Sequence, residues 1–196
     1  MNNETVGYWK DVSNWCLGEN DTFGTCAFAM CGNHDCVVST FNDESEVMSD
    51  GEIEAMDHAV TGFMPTDPKS DHGTAVTTLL QYWHTNGWTG DPTFKPVTWF
   101  QVTSDQISDT IKNYASCYAW YILPKTPDGS NYDFSDDAVI NNAPGVAPHA
   151  MLIVGAQPGY YNVITWGEVK VVSEAWIMKY GQEYFAVQHP NWKIPN

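Results

Sequence analysis

The chain has 196 residues and a formal net charge of -16, from 24 acidic and only 8 basic side chains. A polyphosphate partner would be repelled and would find few Lys or Arg to release its counterions, so no nucleic-acid partner is expected. A mean hydropathy of -0.33 and the lack of any apolar run of about 18 residues exclude a helical membrane span, while nine Trp and ten Tyr supply a core and argue against disorder.

The first residues, Met-Asn-Asn-Glu-Thr, are not a basic stretch followed by an apolar one, so no secretory signal is expected. With that absence and an odd count of five cysteines (Cys16, Cys26, Cys31, Cys36 and Cys117), a disulfide framework is not expected either. Residues 18–24 (GENDTFG) form a polar loop, and a helix should start just after it, near Thr25. Ala27, Met30, Cys31, Val37, Val38 and Phe41 recur at spacings near three and four and predict one buried helical face. Residues 42–57 are acidic and read as surface, with room for a short helix. Residues 63–73 are turn-rich. A second helix follows, with Val76, Leu79, Leu80 and Trp83 as its stripe and Gly87 as its stop. A third is expected over 104–114 with Ser104 as its N-cap.

The second half reads differently. Residues 118–123 (YAWYIL) predict a strand, and 128–148 a long Asn-, Asp-, Gly- and Pro-rich loop. The runs 149–156 (HAMLIVGA) and 160–166, either side of Pro158-Gly159, predict a β-hairpin. A short helix over 173–180 and a strand over 184–187 complete the chain. The pattern is α+β: one domain over 1–196, mainly helical over about 17–116 and mainly β over about 117–192.

Two residues carry chemistry. Cys26 falls at a predicted helix start, where partial positive charge and unpaired N–H groups favour thiolate. Its own N–H is suited to stabilising an oxyanion. His149 opens the apolar strand after a loop, where an imidazole can face a cleft. A Cys–His pair needs proximity in space rather than in sequence. Cys26, Cys31, His34 and Cys36 are zinc-ligand types, but they lack a C-x2-C pair. On a helix they would point around most of its circumference, so neither a metal nor any other cofactor is expected.

Gly24-Thr25-Cys26-Ala27-Phe28-Ala29 resembles the nucleophile motif of papain-like cysteine peptidases. His149-Ala150 with the aliphatic run to Gly155 resembles the histidine strand of that family, and Thr165-Trp166-Gly167 its Asn-Ser-Trp-Gly segment. An ordered set extends the resemblance to a small branch found in bacteria and their phages: Leu17-Gly18-Glu19-Asn20-Asp21, Asp71-His72-Gly73, Tyr82-Trp83 ahead of Gly87, and Thr165-Trp166-Gly167 before a Trp176-containing helix. It spans about 17–192. It implies a papain-like fold with Cys26 as nucleophile, His149 as general base and Asn20 in the place of an oxyanion-hole amide. The orienting Asn of the family aligns with Ile164, and the adjacent Thr165 is the available substitute. Pro148 and Thr25 also depart from the pattern.

Two functions stay open at this point. One is a thiol peptidase or amidase acting on a peptide or isopeptide bond, as in a cell-wall crosslink or a particle's own proteins. The other is a catalytically weak or inactive structural protein of a virion, its aromatic residues anchored against neighbouring virion proteins; Ile164 and the acidic surface fit this second reading. Either way the expected location is the host cytoplasm or the virion. With only about 16 residues ahead of Leu17, no large inhibitory pro-segment is expected.

Overall fold

A computed structural model describes residues 5–44, 47–89 and 97–193. Its centre is helix α1 (Cys26–Phe41), laid against one face of an antiparallel sheet. The described residues form seven strands: β1 (Val6–Gly7), β2 (Thr98–Val102), β3 (Cys117–Pro124), β4 (Gly145–Gln157), β5 (Tyr160–Thr165), β6 (Glu168–Ser173) and β7 (Gly181–Gln188). Their order is β2-β7-β3-β4-β5-β6, with the short β1 paired to β4.

Both faces of this sheet are covered. On one side α1, α2 (Asp50–Thr61) and α3 (Val76–Asn86) bury Phe28, Ile53, Leu79 and Trp83 against Ala150, Leu152 and Val154 of β4. On the other, α4 (Ile107–Tyr114) and α6 (Glu174–Tyr180) bury Ile111 and Trp176 against Met151 and Ile153 of the same strand. A strand apolar on both faces reads as an unbroken hydrophobic run, which is why residues 150–154 show no alternation.

The α+β segregation expected from the sequence is present. Helix α3 buries Val76, Leu79, Leu80 and Trp83 and stops at Gly87, whose φ of 78° favours glycine. Strands β4 and β5 form the expected hairpin around Pro158-Gly159, with Gln157 opposite Tyr160. Ser173 caps α6 by accepting from the Trp176 N–H.

Other expectations need correction. Helix α1 has no single apolar face: every residue from Ala27 to Ser39 is buried, because sheet and helices enclose it, while Phe41 is exposed. The acidic stretch holds a three-turn helix, α2, begun by a capping box in which Ser49 and Glu52 satisfy each other's backbone N–H. The third helix starts as a 3-10 turn (Ser104–Gln106) capped by Thr103 rather than Ser104, and becomes α-helical as α4. The long loop is shorter than expected: it contains α5 (Asp136–Ile140), and β4 begins at Gly145, so His149 lies inside its strand rather than opening it.

The polar residues of α1 are satisfied inside the core. Asn33 accepts from the Cys16 N–H at 2.9 Å and donates to the Cys16 and Ala29 carbonyls. His34 bridges the Tyr118 hydroxyl at 3.0 Å and the Tyr114 carbonyl at 3.1 Å. Burial lowers its pKa to about 3, and lowers that of the neighbouring His189 well below the ordinary value. These imidazoles fold neutral but protonate once unfolded near pH 6.5. The unfolded state therefore binds more protons as pH falls, and the stability they contribute above pH 6.5 is lost on acidification. Each proton changes stability by about 1.4 kcal/mol per pH unit. The urea midpoint should fall between pH 6.5 and 4, and His34→Gln should be less stable at pH 7 yet show a shallower decline.

Candidate active site

Cys26 is the first residue of α1, and the preceding loop is built to hold it there. Thr25, at the N-cap position, makes no side-chain cap. Its buried hydroxyl donates instead to the Gly18 carbonyl at 2.6 Å, tying the start of the helix back to the loop. The Gly24 N–H donates to Asp71 Oδ2 at 2.9 Å. A Cβ on Gly24 would lie 2.6 Å from Asp71 Oδ1 and 3.2 Å from the Gly73 Cα, so only glycine fits this approach. All five cysteines are free thiols, but four are buried and Cys26 alone is partly exposed. Burial pushes the Cys26 thiol above its ordinary pKa, while the backbone N–H groups of Ala150, Ala27 and Cys26 itself pull it back. The sulfur thus meets the N-terminal end of α1 on one side and β4, next to His149, on the other.

The His149 ring is fixed by residues of the neighbouring hairpin. Its Nε2 lies 2.7 Å from Thr165 Oγ1, in a buried hydrogen bond. The Trp166 indole stacks on the imidazole, with centroids 4.4 Å apart and planes 18° from parallel. Trp166 stacks with Tyr132 as well, and its Nε1–H donates to the Asn20 carbonyl at 3.1 Å. Trp166 and Gly167 form the two-residue turn between β5 and β6, both at positive φ (47° and 68°), the pairing that matches the strand twist. A tryptophan in that region costs about 1–2 kcal/mol, which the stacking and the hydrogen bond offset. Burial lowers the His149 pKa to about 4.

Cys26 and His149 line one cleft of about 570 Å³, a size suited to a small ligand or a few peptide residues. Its walls are the 71–76 segment on one side and Trp120, Ala150 and Glu183 on the sheet side. A helix-terminal thiol and an oriented imidazole at one open cleft make an arrangement able to attack a carbonyl carbon.

Nearly the whole chain superposes on two solved structures. One is xylellain, a cysteine protease from Xylella fastidiosa, at a TM-score of 0.62 and 11% identity, over 94% of this chain and 85% of that one. Another is digestive procathepsin L 3 from the larval midgut of Tenebrio molitor, at 0.53 and 9%, over 99% of this chain and 67% of that one. The fold is papain-like. No protein-family model matches the sequence, and no curated protein does.

In this papain-like fold Thr165, and not Ile164, meets the histidine. Ile164 pairs with Leu152 and faces the core on the α1 side. The next residue of a strand points to the opposite face, and that is the face His149 shares. Asn20 joins the assembly through its backbone carbonyl, under the Trp166 indole, and is not among the cleft-lining residues. Sequence reasoning missed the contact Asp71 makes, having taken Asp71-His72-Gly73 as a turn before α3 and as one motif of the resemblance. The sole local signal was the Asp71-His72-Gly73 pattern, because the Gly24 contact spans 47 residues. It also missed Trp120 and Glu183 as cleft residues.

Gly24→Ala should drive the Asp71–Gly73 segment away from α1. An overpacked contact of this kind costs about 1–3 kcal/mol, so the thermal midpoint should drop. Hydrogen exchange should rise in residues 71–75 while the amides of β5 and β6 stay protected.

Proposed function

We propose that this chain is a thiol hydrolase, a peptidase or related amidase, that cleaves a peptide or isopeptide bond with Cys26 as nucleophile and His149 as general base. The observation that carries this reading is the division of labour around the imidazole: Nε2 is engaged by Thr165 and covered by Trp166, while the one partly exposed thiol lies at a helix N-terminus against the next residue of the same strand.

The pKa directions define the resting state. Burial raises the thiol and lowers the imidazole to about 4, so at neutral pH both are uncharged. The useful tautomer carries its proton on Nε2, donated to Thr165 Oγ1, and leaves Nδ1 free to accept. As Cys26 attacks the carbonyl carbon, its proton passes to Nδ1, and charge builds on the substrate oxygen rather than on a preformed thiolate. The Cys26 N–H holds that oxygen, and Asn20, outside the cleft lining, supports the site only through its carbonyl under Trp166. The imidazolium then protonates the leaving amine as the C–N bond breaks, and water releases the acyl group with His149 as base again. Thr165 orients the ring through this sequence, as a third group does in other nucleophile–base pairs.

The ordered loop and turn motifs support a place in the small bacterial and phage branch, with a peptide or protein substrate met in the host cytoplasm or at the virion. The oriented His149 beside Cys26 favours the hydrolase over a purely structural virion role.

Iodoacetamide modification of Cys26, followed by peptide mass spectrometry across pH, tests the pair. Because His149 stays neutral down to about pH 4, the wild-type rate should hold from neutral pH to about 5 and then fall. In His149→Ala the rate should follow simple thiol ionisation and be about 100-fold slower near pH 6. Identical profiles in the two proteins would sink the reading. Thr165→Val should lower the wild-type rate about tenfold or more through lost ring orientation, and Thr165→Ser, which keeps the hydroxyl, should restore most of it.

A further inference from the structure

Strand β6 (Glu168–Ser173) is the last strand on its side of the sheet, and among the described residues nothing pairs with its outer edge. The turn at Trp166-Gly167 fixes what that edge offers. A two-residue turn is closed by a hydrogen-bonded pair, here Thr165 with Glu168, and such pairs then alternate along the ladder. Glu168, Lys170 and Val172 therefore spend their backbone groups on β5. The N–H and C=O groups of Val169, Val171 and Ser173 point outward, as a row ready to pair with another strand.

The side chains of the edge fall into two sets. Val169 packs on the α1 core, so by alternation Val171 shares that face, and Glu168 and Lys170 lie on the other. Val171 is 55% exposed. Leu17, 37% exposed, lies 3.9 Å from where a Cβ on Gly167 would sit. On the other face the Glu168 carboxylate pairs with the Lys170 ammonium. With 24 acidic side chains against 8 basic ones, two copies of this chain repel over most of their surface, but here one anion sits beside one cation.

We propose that β6 pairs antiparallel with β6 of a second copy about a dyad at Val169, continuing the sheet across a dimer. The charges select this register. With the dyad at Lys170, that residue would meet its own copy, a destabilising contact between like charges. With the dyad at Val171, Lys170 would face Val172 and Glu168 would face Glu174 of the second copy. With the dyad at Val169, Glu168 faces Lys170 of the second copy and Lys170 faces its Glu168. These are non-hydrogen-bonded pairs, in which side chains approach most closely. The Val169 backbones exchange both N–H···O=C bonds, and Val171 falls opposite Gly167 of the second copy. That glycine has no side chain, so the exposed Val171 covers the exposed Leu17 beside it. A lone lysine blunts an edge, whereas a lysine two residues from a glutamate on one face permits a single register. The pairing holds, from its free side, the hairpin that presents Thr165 and Trp166 to His149. It is independent of the hydrolase reading.

Sedimentation equilibrium of the full chain, under reducing conditions in about 0.15 M salt, tests the dimer. Loading up to about 500 μM makes a Kd as weak as about 1 mM visible, and the wild type should show a reversible monomer–dimer equilibrium. Lys170→Glu sets glutamates opposite each other, and Glu168→Lys sets lysines opposite each other; each should weaken the dimer about tenfold. Glu168→Lys also lowers the net negative charge, so nonspecific repulsion would respond in the opposite direction. Both substitutions in one chain should restore the wild-type constant to within about twofold. A mixture of the two single variants should form heterodimers of similar strength, because each supplies the charge that the other lacks. The far-UV circular dichroism of every variant should match wild type, since the substituted side chains lie at the surface. A wild type that stays monomeric over this range, a dimer that either single variant leaves intact, or a loss that neither the double exchange nor mixing repairs would each overturn the proposal.

Discussion

A helix buried on every side cannot leave its first N–H groups to water, and the rest of this molecule is arranged around the end of α1. The polar groups along its length have partners: Asn33 clasps the Cys16 backbone, and His34 bridges Tyr118 and Tyr114. At its start the solution differs. The Thr25 hydroxyl is turned away to Gly18, no side chain caps the first turn, and a partly exposed thiol occupies the positive end of the helix. The place where a structural cap would ordinarily sit is the place where the cleft opens. Stability and chemistry compete for the same few N–H groups, and the loop tied by Gly18, Gly24 and Asp71 supplies the order that a cap would have supplied.

Environment then sets the character of the pair. The surface is strongly acidic, yet the thiol and the imidazole are perturbed mainly by loss of water rather than by that charge. Desolvation moves them in opposite directions and leaves both neutral. A neutral pair is tolerable in a half-buried site where an isolated charge is costly, and charge appears only when a carbonyl is present to share it.

The two candidate residues, which the structure brings to one cleft, were legible in the sequence because each announces itself locally. Cys26 follows a polar loop at the head of a helical pattern, and His149 precedes an apolar run and a Pro-Gly turn. What stayed hidden depends on partners far along the chain. Pro144, Gly145 and Pro148 read as loop, although pairing to β3 makes residues from Gly145 onward strand. The Ser49–Glu52 capping box was present but lay in a background of acidic residues that read as solvated surface. Strands β2 and β6 are too short and mixed in pattern to stand out without β7 and β5 beside them. The exchange of Ile164 for Thr165 at the histidine is a matter of strand parity. It follows from Leu152 opposite Ile164 in the core, and an apolar run does not state which residues face which side.

That parity makes the β5–β6 hairpin a register lock. Thr165, Trp166 and Gly167 are consecutive, and each contributes something different. Thr165 brings a hydroxyl to the imidazole, Trp166 lays its indole over the ring, and Gly167 completes the left-handed turn that reverses the chain. Adding or deleting one residue in β5 would invert the whole alternation. A hydroxyl would enter the hydrophobic core, an isoleucine would face the imidazole, and the indole would leave both the ring and the Asn20 carbonyl. Substitution can therefore tune this corner by degrees, whereas a change of length removes all three functions at once, and descendants of this chain should vary here in residue type far more freely than in residue number.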